Sequence, residues 1–109
     1  MSHPQRELEK RATRRFSLDL PIVVKYLGDG KRELSGHTRD VSSQGVFMYM
    51  NSEAAEGSTI EFVMTLPREI IQTDPIRVHC TGKVVRVEKS AREQGVAVAI
   101  EKYDFVREE

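Results

Sequence analysis

Four basic side chains lie within six positions near the start of the chain, in the stretch KRATRR that contains Lys10, Arg11, Arg14 and Arg15. Guanidinium groups are planar and permanently charged, so they bind phosphates and purine edges in a forked geometry. The chain as a whole has 17 Lys and Arg against 17 Asp and Glu, so the cluster is not a by-product of a basic protein. Taken alone, however, an arginine-rich segment of this kind is more often a solvated tail than a binding site.

A second pattern, D-x-S-x-x-G, is formed by Asp40, Ser42 and Gly45 in the stretch DVSSQG. Alone, it is more often a capped turn that closes a hairpin. The two patterns occur in this order, with LDLP directly after Arg15 and a strand-rich region following. Their combination therefore favours a shared binding site with one basic and one acidic side.

The bulk composition indicates one soluble globular domain. The 109 residues are 39% hydrophobic and 31% charged, and no apolar run approaches the roughly 18 residues of a membrane-spanning helix. The N-terminus lacks the apolar segment of a secretory signal, and the single cysteine, Cys80, fits a reducing compartment. We therefore expect a cytoplasmic protein without membrane insertion.

Residues 1–19 are polar and predict a flexible basic N-terminal arm, whereas residues 20–109 predict a β-barrel domain. From Pro21 onward apolar residues alternate with polar ones, and turn signals such as GDG separate short strands. In IRVHCTGKVVRVE the apolar phase reverses near Gly82, which is typical of a bulge. The last residues, KYDFVREE, are a candidate for the start of a C-terminal helix. We predict an all-β, small antiparallel barrel of five or six strands, with six preferred.

The sequence resembles the PilZ domain family of bacterial cyclic di-GMP receptors, from Lys10 to about Phe105. The arginine pair Arg11 and Arg15 matches the R-x-x-x-R motif of that family, and DVSSQG matches its second motif. The stretches GKVVRVE and GVAVAIE extend the similarity. The resemblance implies a six-stranded split barrel with a ligand held between the two motifs.

The resemblance also implies residue roles. Arg11 and Arg15 would contact the phosphates and guanine edges, while Asp40 and Ser42 would contact a guanine and nearby ligand atoms. Gly45 would let the backbone approach the ligand. Arg14 and Lys10 are further candidates for ligand contact, and a solvated position explains their charge equally well.

These residue types suit cyclic di-GMP, which carries two phosphodiesters and two guanines. The Asp40 carboxylate can accept from the ring N–H and exocyclic amine of guanine, a donor pair that adenine does not offer. Charge-assisted hydrogen bonds contribute roughly 1.5–3 kcal/mol each. Four or five of them would support micromolar or tighter binding after association costs of at least ~4 kcal/mol.

We therefore expect a receptor and adaptor that binds cyclic di-GMP, orders its N-terminal arm and contacts an unidentified downstream protein. The alternative is a PilZ-like protein-interaction adaptor that does not bind nucleotide. A DNA or RNA binder is disfavoured by the neutral net charge and few aromatic residues. We expect no enzymatic activity, because the sequence offers Asp40 and Ser42 no plausible histidine partner for catalysis. We also expect no cofactor, with cyclic di-GMP as the ligand. We also expect no metal, since the three histidines lack metal-ligand spacing.

Overall fold

Six antiparallel strands follow the alternating apolar pattern of the sequence. The computed structural model describes residues 14–28, 30–72, 74–90 and 92–106. Within them the strands are β1 (Pro21–Leu27), β2 (Gly30–Val41), β3 (Gly45–Met50), β4 (Thr59–Leu66), β5 (Ile76–Glu88) and β6 (Gln94–Val106). A single helical turn, α1 (Arg68–Ile71), begins after Pro67 and follows β4.

The strands close into a barrel in the order β1-β2-β3-β6-β5-β4, and β4 pairs back onto β1. All of the strand pairs are antiparallel. Closure pairs the backbone groups that an open sheet would leave unpaired at its two edges. The predicted all-β, six-stranded antiparallel barrel is confirmed.

The barrel interior is filled mainly by the inward residues of the strands other than β2. These side chains are mostly large, apolar and almost completely buried, so their removal from water is the main source of stability. Leu20, directly before β1, is 1% exposed and belongs to the same core. The strand residues of the buried cluster are Ile22, Val24, Leu27, Val46, Met48, Met50, Ile60, Phe62, Met64, Val78, Cys80, Val84, Val96 and Val98.

The reversal of the apolar phase in β5 arises from irregular pairing with β6. The register shifts between Thr81 and Gly82 and again between Val84 and Arg86. Val85 is the extra residue of the second shift, and it points to solvent while Val84 is buried. A Cβ atom on Gly82 would lie 2.2 Å from the Ala99 carbonyl oxygen, so only glycine allows β6 this close. The predicted bulge near Gly82 is confirmed.

The C-terminal helix suggested by KYDFVREE is wrong for the described part of that stretch. Residues Lys102–Val106 continue β6, and they pair with β5 as far as Arg77↔Val106. Aromatic and charged residues alternate there with a period of two, which suits a strand better than a helix. Residues 107–109 lie outside the described residues. Among the residues that the structure describes, no helix is long and apolar enough to cross a bilayer.

Candidate functional site

The segment that precedes β1 is bonded to the end of β2. Phe16 and Val41 exchange two backbone hydrogen bonds, of 2.8 and 2.9 Å. The buried Thr38 hydroxyl accepts the Leu20 N–H at 2.9 Å and donates to the Leu18 carbonyl oxygen. The Thr38 N–H in turn donates to the Leu20 carbonyl oxygen at 2.9 Å. This segment therefore follows the strand that carries Asp40.

The backbone pairing brings the two sequence motifs together at Arg15 and Asp40. The Arg15 guanidinium donates from Nη1 to Asp40 Oδ1 at 2.8 Å, across 25 residues of sequence. The Arg15 side chain is 52% exposed, whereas that of Asp40 is only 13% exposed. The carboxylate is thus held at the base of the site, and the guanidinium extends from it toward solvent.

A second arginine, Arg39, binds the other oxygen of the same carboxylate. Its Nε donates to Asp40 Oδ2 at 2.9 Å, and its guanidinium carbon lies 3.8 Å from the centroid of the Phe47 ring. The hydrogen bond to Asp40 raises the pKa of Arg39 above its ordinary value, so this guanidinium stays charged. Phe47 is 2% exposed and pairs with Asp40 in the β2–β3 register. Stacking on a buried ring fixes the orientation of Arg39.

The position of Arg39 results from a local irregularity in β2. The register with β3 shifts between Thr38 and Asp40, and Arg39 is the residue without a partner in that shift. A bulge of this kind changes the direction of the side chains around it. Here Arg39 and Asp40, which are neighbours in sequence, are joined by a side-chain hydrogen bond.

The Asp40 carboxylate retains capacity to accept further hydrogen bonds. A carboxylate has two oxygens with about four lone-pair positions. Each oxygen of Asp40 accepts one bond from an arginine in the described structure. About two acceptor positions therefore remain, enough for a donor pair such as a ring N–H and an adjacent amine.

Ser42 shapes the turn between β2 and β3. Its hydroxyl accepts the N–H groups of Gln44 at 3.2 Å and Gly45 at 3.0 Å, and it donates to the Gly45 carbonyl oxygen at 3.2 Å. The Ser42 N–H also donates to that carbonyl at 2.8 Å. A hydroxyl has one donor and two acceptor positions, and the turn uses all three. The side chain is 8% exposed, so it supports the turn from within.

Gly45 allows close packing at the start of β3. A Cβ atom there would lie 2.9 Å from the Val98 carbonyl oxygen, closer than real Cβ atoms approach an oxygen of the backbone. The same Cβ would lie 3.6 Å from Arg15 Nη2. Strand β6 is fixed to this turn, because the Ile100 N–H donates to the Gln44 carbonyl oxygen at 2.9 Å. Gly45 thus positions β6 and the Arg15 guanidinium together.

The structure brings four of the residues predicted from the sequence close together. Arg15, Asp40, Ser42 and Gly45 lie together at the β2–β3 end of the barrel. Arg14 is exposed beside Arg15. Lys10 and Arg11, together with the rest of residues 1–13 of the predicted arm, lie outside the described residues.

Arg39 was missed by the sequence analysis. The signal was present in the stretch TRDV, where an arginine directly precedes Asp40. Its stacking partner lies eight residues later, and only the β2–β3 register brings the two together. Within the described ranges, no group of three or more His, Cys, Asp or Glu side chains is arranged to hold a metal ion.

Comparison with known proteins supports one family. No curated protein matches the sequence. The family model for the PilZ domain matches residues 9–108, which include both motifs and all six strands. The chain therefore belongs to the PilZ domain family.

Proposed function

We propose that this protein is a non-enzymatic receptor for cyclic di-GMP. PilZ domains are a family of cyclic di-GMP receptors and adaptors, to which this chain belongs. The observation that carries the proposal is the 2.8 Å ion pair between Arg15 and Asp40, which joins the two motifs in one site. A cationic group for phosphates and an acceptor for guanine thereby lie side by side.

In this proposal Asp40 reads one guanine of the ligand. Its remaining acceptor positions receive the ring N–H and the exocyclic amine, while its two bonds to Arg15 and Arg39 are retained. Adenine offers an acceptor in place of that ring N–H. The site therefore favours guanine over adenine, because a complex with adenine would leave an acceptor position of Asp40 without a donor.

The arginines bind the phosphates in the same proposal. Arg14, Arg15 and Arg39 carry three positive charges against the one negative charge of Asp40. The surplus suits a ligand with two phosphodiester charges, and the planar guanidinium of Arg39 presents donors in a fixed direction. Arg11 and Lys10 add further cationic groups from the arm.

Ser42 and Gly45 contribute through the shape of the turn. The Ser42 hydroxyl holds the turn, and Gly45 keeps the space beside Arg15 open. We therefore assign Ser42 a positioning role rather than a direct bond to the ligand, because its three hydrogen-bonding positions are used within the turn.

The output is an ordering of the N-terminal arm. The segment around Phe16 is bonded to β2, so the ordering concerns residues 1–13. Phosphate binding cancels repulsion among the basic side chains of the arm and ties them to the barrel, a disorder-to-order change. The ordered arm then presents a surface to a downstream protein.

Isothermal titration tests the binding. Cyclic di-GMP is expected to bind with micromolar or tighter affinity, and chromatography of the mixture is expected to recover it intact. Cyclic di-AMP is the matched control because it has the same phosphates and different bases. GTP and single-stranded RNA test for general anion binding. A protein that gives no heat with cyclic di-GMP at tens of micromolar would instead be an adaptor that does not bind nucleotide.

A further inference from the structure

Strand β6 extends beyond one of its two neighbours. It pairs with β3 only from Gln94 to Ala99, whereas it pairs with β5 as far as Val106. Among the described strands, residues 101–106 are therefore paired on one side only. We call this segment the β6 edge. Alternate backbone N–H and C=O groups of such an edge point away from the sheet and are able to bind another strand.

Two aromatic side chains of the β6 edge lie on the core side of the sheet without cover. Glu101 is an extra residue in the register, so the inward phase moves to Tyr103 and Phe105, which pair with the buried Cys80 and Val78. Tyr103 is nevertheless 49% exposed and Phe105 63% exposed. Their ring centroids are 6.1 Å apart in an edge-to-face arrangement. This apolar area continues the barrel core into solvent.

Of the three charged residues of the β6 edge, Glu101 is the extra residue of the register, whereas Lys102 and Asp104 alternate with these aromatic residues. Lys102 and Asp104 lie on the opposite face, and neither forms an ion pair within the described part of the chain. The residue across the sheet from Asp104 is His79, which is bonded through Nε2 to Glu61 at 2.5 Å. One positive and one negative charge are thus available two residues apart.

We propose that the β6 edge pairs antiparallel with the β6 edge of a second copy of this chain, about a two-fold axis at Tyr103. In that register Lys102 lies opposite the partner's Asp104, and the symmetry repeats the same pair. Tyr103 faces its counterpart, and Phe105 lies on the diagonal within reach of the same ring. The added strand pairing satisfies the open backbone groups of both copies.

The charge pattern favours a second copy of this chain as the partner of the β6 edge, and it favours the register centred on Tyr103. A two-fold axis at Asp104 would place two carboxylates opposite each other, which is unfavourable. An axis between Tyr103 and Asp104 would set residues of opposite faces across from each other, which the alternation of side chains in paired strands does not allow. Only the register centred on Tyr103 pairs every charge at positions 102 and 104 with its opposite, and it does so through self-complementarity of the sequence KYD.

The interface is short, so the dimer is expected to be weak. Stable specific interfaces bury about 1,200–2,000 Å² in total, with roughly 20–30 residues on each side, and a six-residue edge is small by comparison. A dissociation constant on the order of 10–100 μM is expected. The assembly is then sensitive to protein concentration and to single charge changes.

Sedimentation velocity of the whole chain between about 5 and 500 μM measures the assembly. Lys102→Asp and Asp104→Lys each place like charges opposite one another in the homodimer, and at least a tenfold weaker self-association is expected for each. In an equal mixture, the first variant has aspartate at both positions and the second has lysine at both. Opposite charges then face each other again, and the two variants are expected to associate. Lys89→Asp, which changes an exposed lysine outside the edge, is the control for net charge.

The exchanged variant, Lys102→Asp with Asp104→Lys, keeps the composition of the wild type and is expected to dimerise as the wild type does. It also provides the test if a single variant fails to fold. A wild type that remains monomeric at all concentrations would overturn the proposal, whether residues 1–13 or a different protein cover the edge. A dimer that is unaffected by both single charge reversals would also overturn it.

Discussion

Arg15 and Asp40 form a 2.8 Å ion pair that depends on the backbone pairing of the residues next to them. Phe16 follows Arg15 and Val41 follows Asp40, and these two neighbours exchange both of their backbone hydrogen bonds. The site is therefore built by sheet pairing as well as by a loop. Its two motifs keep their relative position for as long as this pairing persists.

The first prediction concerns the acceptor for guanine. Asp40→Ala removes the carboxylate and leaves the turn bonds of Ser42 in place. We expect a loss of roughly 1.5–3 kcal/mol in binding, or about tenfold to a hundredfold in affinity for cyclic di-GMP, measured by titration. A thermal melt of the variant checks that the fold is retained. Equal affinity for the wild type and the folded variant would show that Asp40 does not read the ligand.

The second prediction concerns Arg39, which lies outside both motifs. Arg39→Ala removes the group that holds Asp40 Oδ2 and one of the proposed phosphate donors, so it is expected to weaken binding by roughly 1.5–3 kcal/mol, or about tenfold to a hundredfold. Arg86→Ala is the matched control, because Arg86 lies 5.8 Å from the same Phe47 ring but is paired with Glu88 at 3.1 Å. The control is expected to bind as the wild type. A similar loss in both variants would point to general electrostatic attraction rather than to a role of Arg39 beside Asp40.

The fold could be predicted from the sequence because the barrel follows from local alternation. In β4, for example, Ile60, Phe62 and Met64 are buried while Glu61 and Thr65 are more exposed, and that pattern is visible in the letters alone. The reversal in β5 likewise reveals a bulge. Two short motifs and their order in the chain predicted that Arg15 and Asp40 lie close together, and the two side chains are in contact. Ligand binding at this place stays a prediction.

The features that could not be predicted from the sequence depend on pairings between strands. Arg39 reaches the Phe47 ring only because the β2–β3 register shifts beside it, and no local pattern shows that shift. The role of Ser42 depends on the tightness of its turn, which consumes all of its hydrogen-bonding positions. The strand conformation of Tyr103 and Phe105 likewise requires β5 as a neighbour.

The third prediction concerns Gly45. Gly45→Ala forces a Cβ atom to within 2.9 Å of the Val98 carbonyl oxygen, so β3 and β6 must separate. We expect a loss of roughly 1–3 kcal/mol in the free energy of unfolding, measured by denaturant titration. Gly30→Ala is the control, because the nearest atom to its Cβ would be the Leu27 carbonyl oxygen at 4.0 Å. If both substitutions had the same effect, close packing at Gly45 would not be the cause.

The fourth prediction concerns stability at alkaline pH. Burial of Cys80, which is 1% exposed, raises the pKa of its thiol from 9.0 to about 11. Between these values the folded state keeps a proton that the unfolded state loses, so the free energy of unfolding falls as pH rises. The contribution is at most about 2–3 kcal/mol.

The Cys80→Ala variant lacks this titration, whereas the other alkaline titrations are common to both proteins. The stability difference between wild type and variant is therefore expected to change in favour of the variant from pH 9 to pH 11, as measured by urea unfolding. If the free energies of unfolding of the two proteins changed with pH in parallel, the raised pKa of Cys80 would be contradicted.

The last prediction concerns ordering of the arm, measured by hydrogen exchange with and without cyclic di-GMP. The amides of Phe16 and Leu20 are hydrogen-bonded to Val41 and Thr38, so we expect protection there in both samples. Ligand-dependent protection is expected to increase over residues 7–13 and 40–45, and the amides of β4 provide an internal reference. Ordering these residues costs several kcal/mol, which reduces the observed affinity. If residues 7–13 were equally protected without ligand, the arm would be preformed and the ordering mechanism wrong, while titration would still report binding.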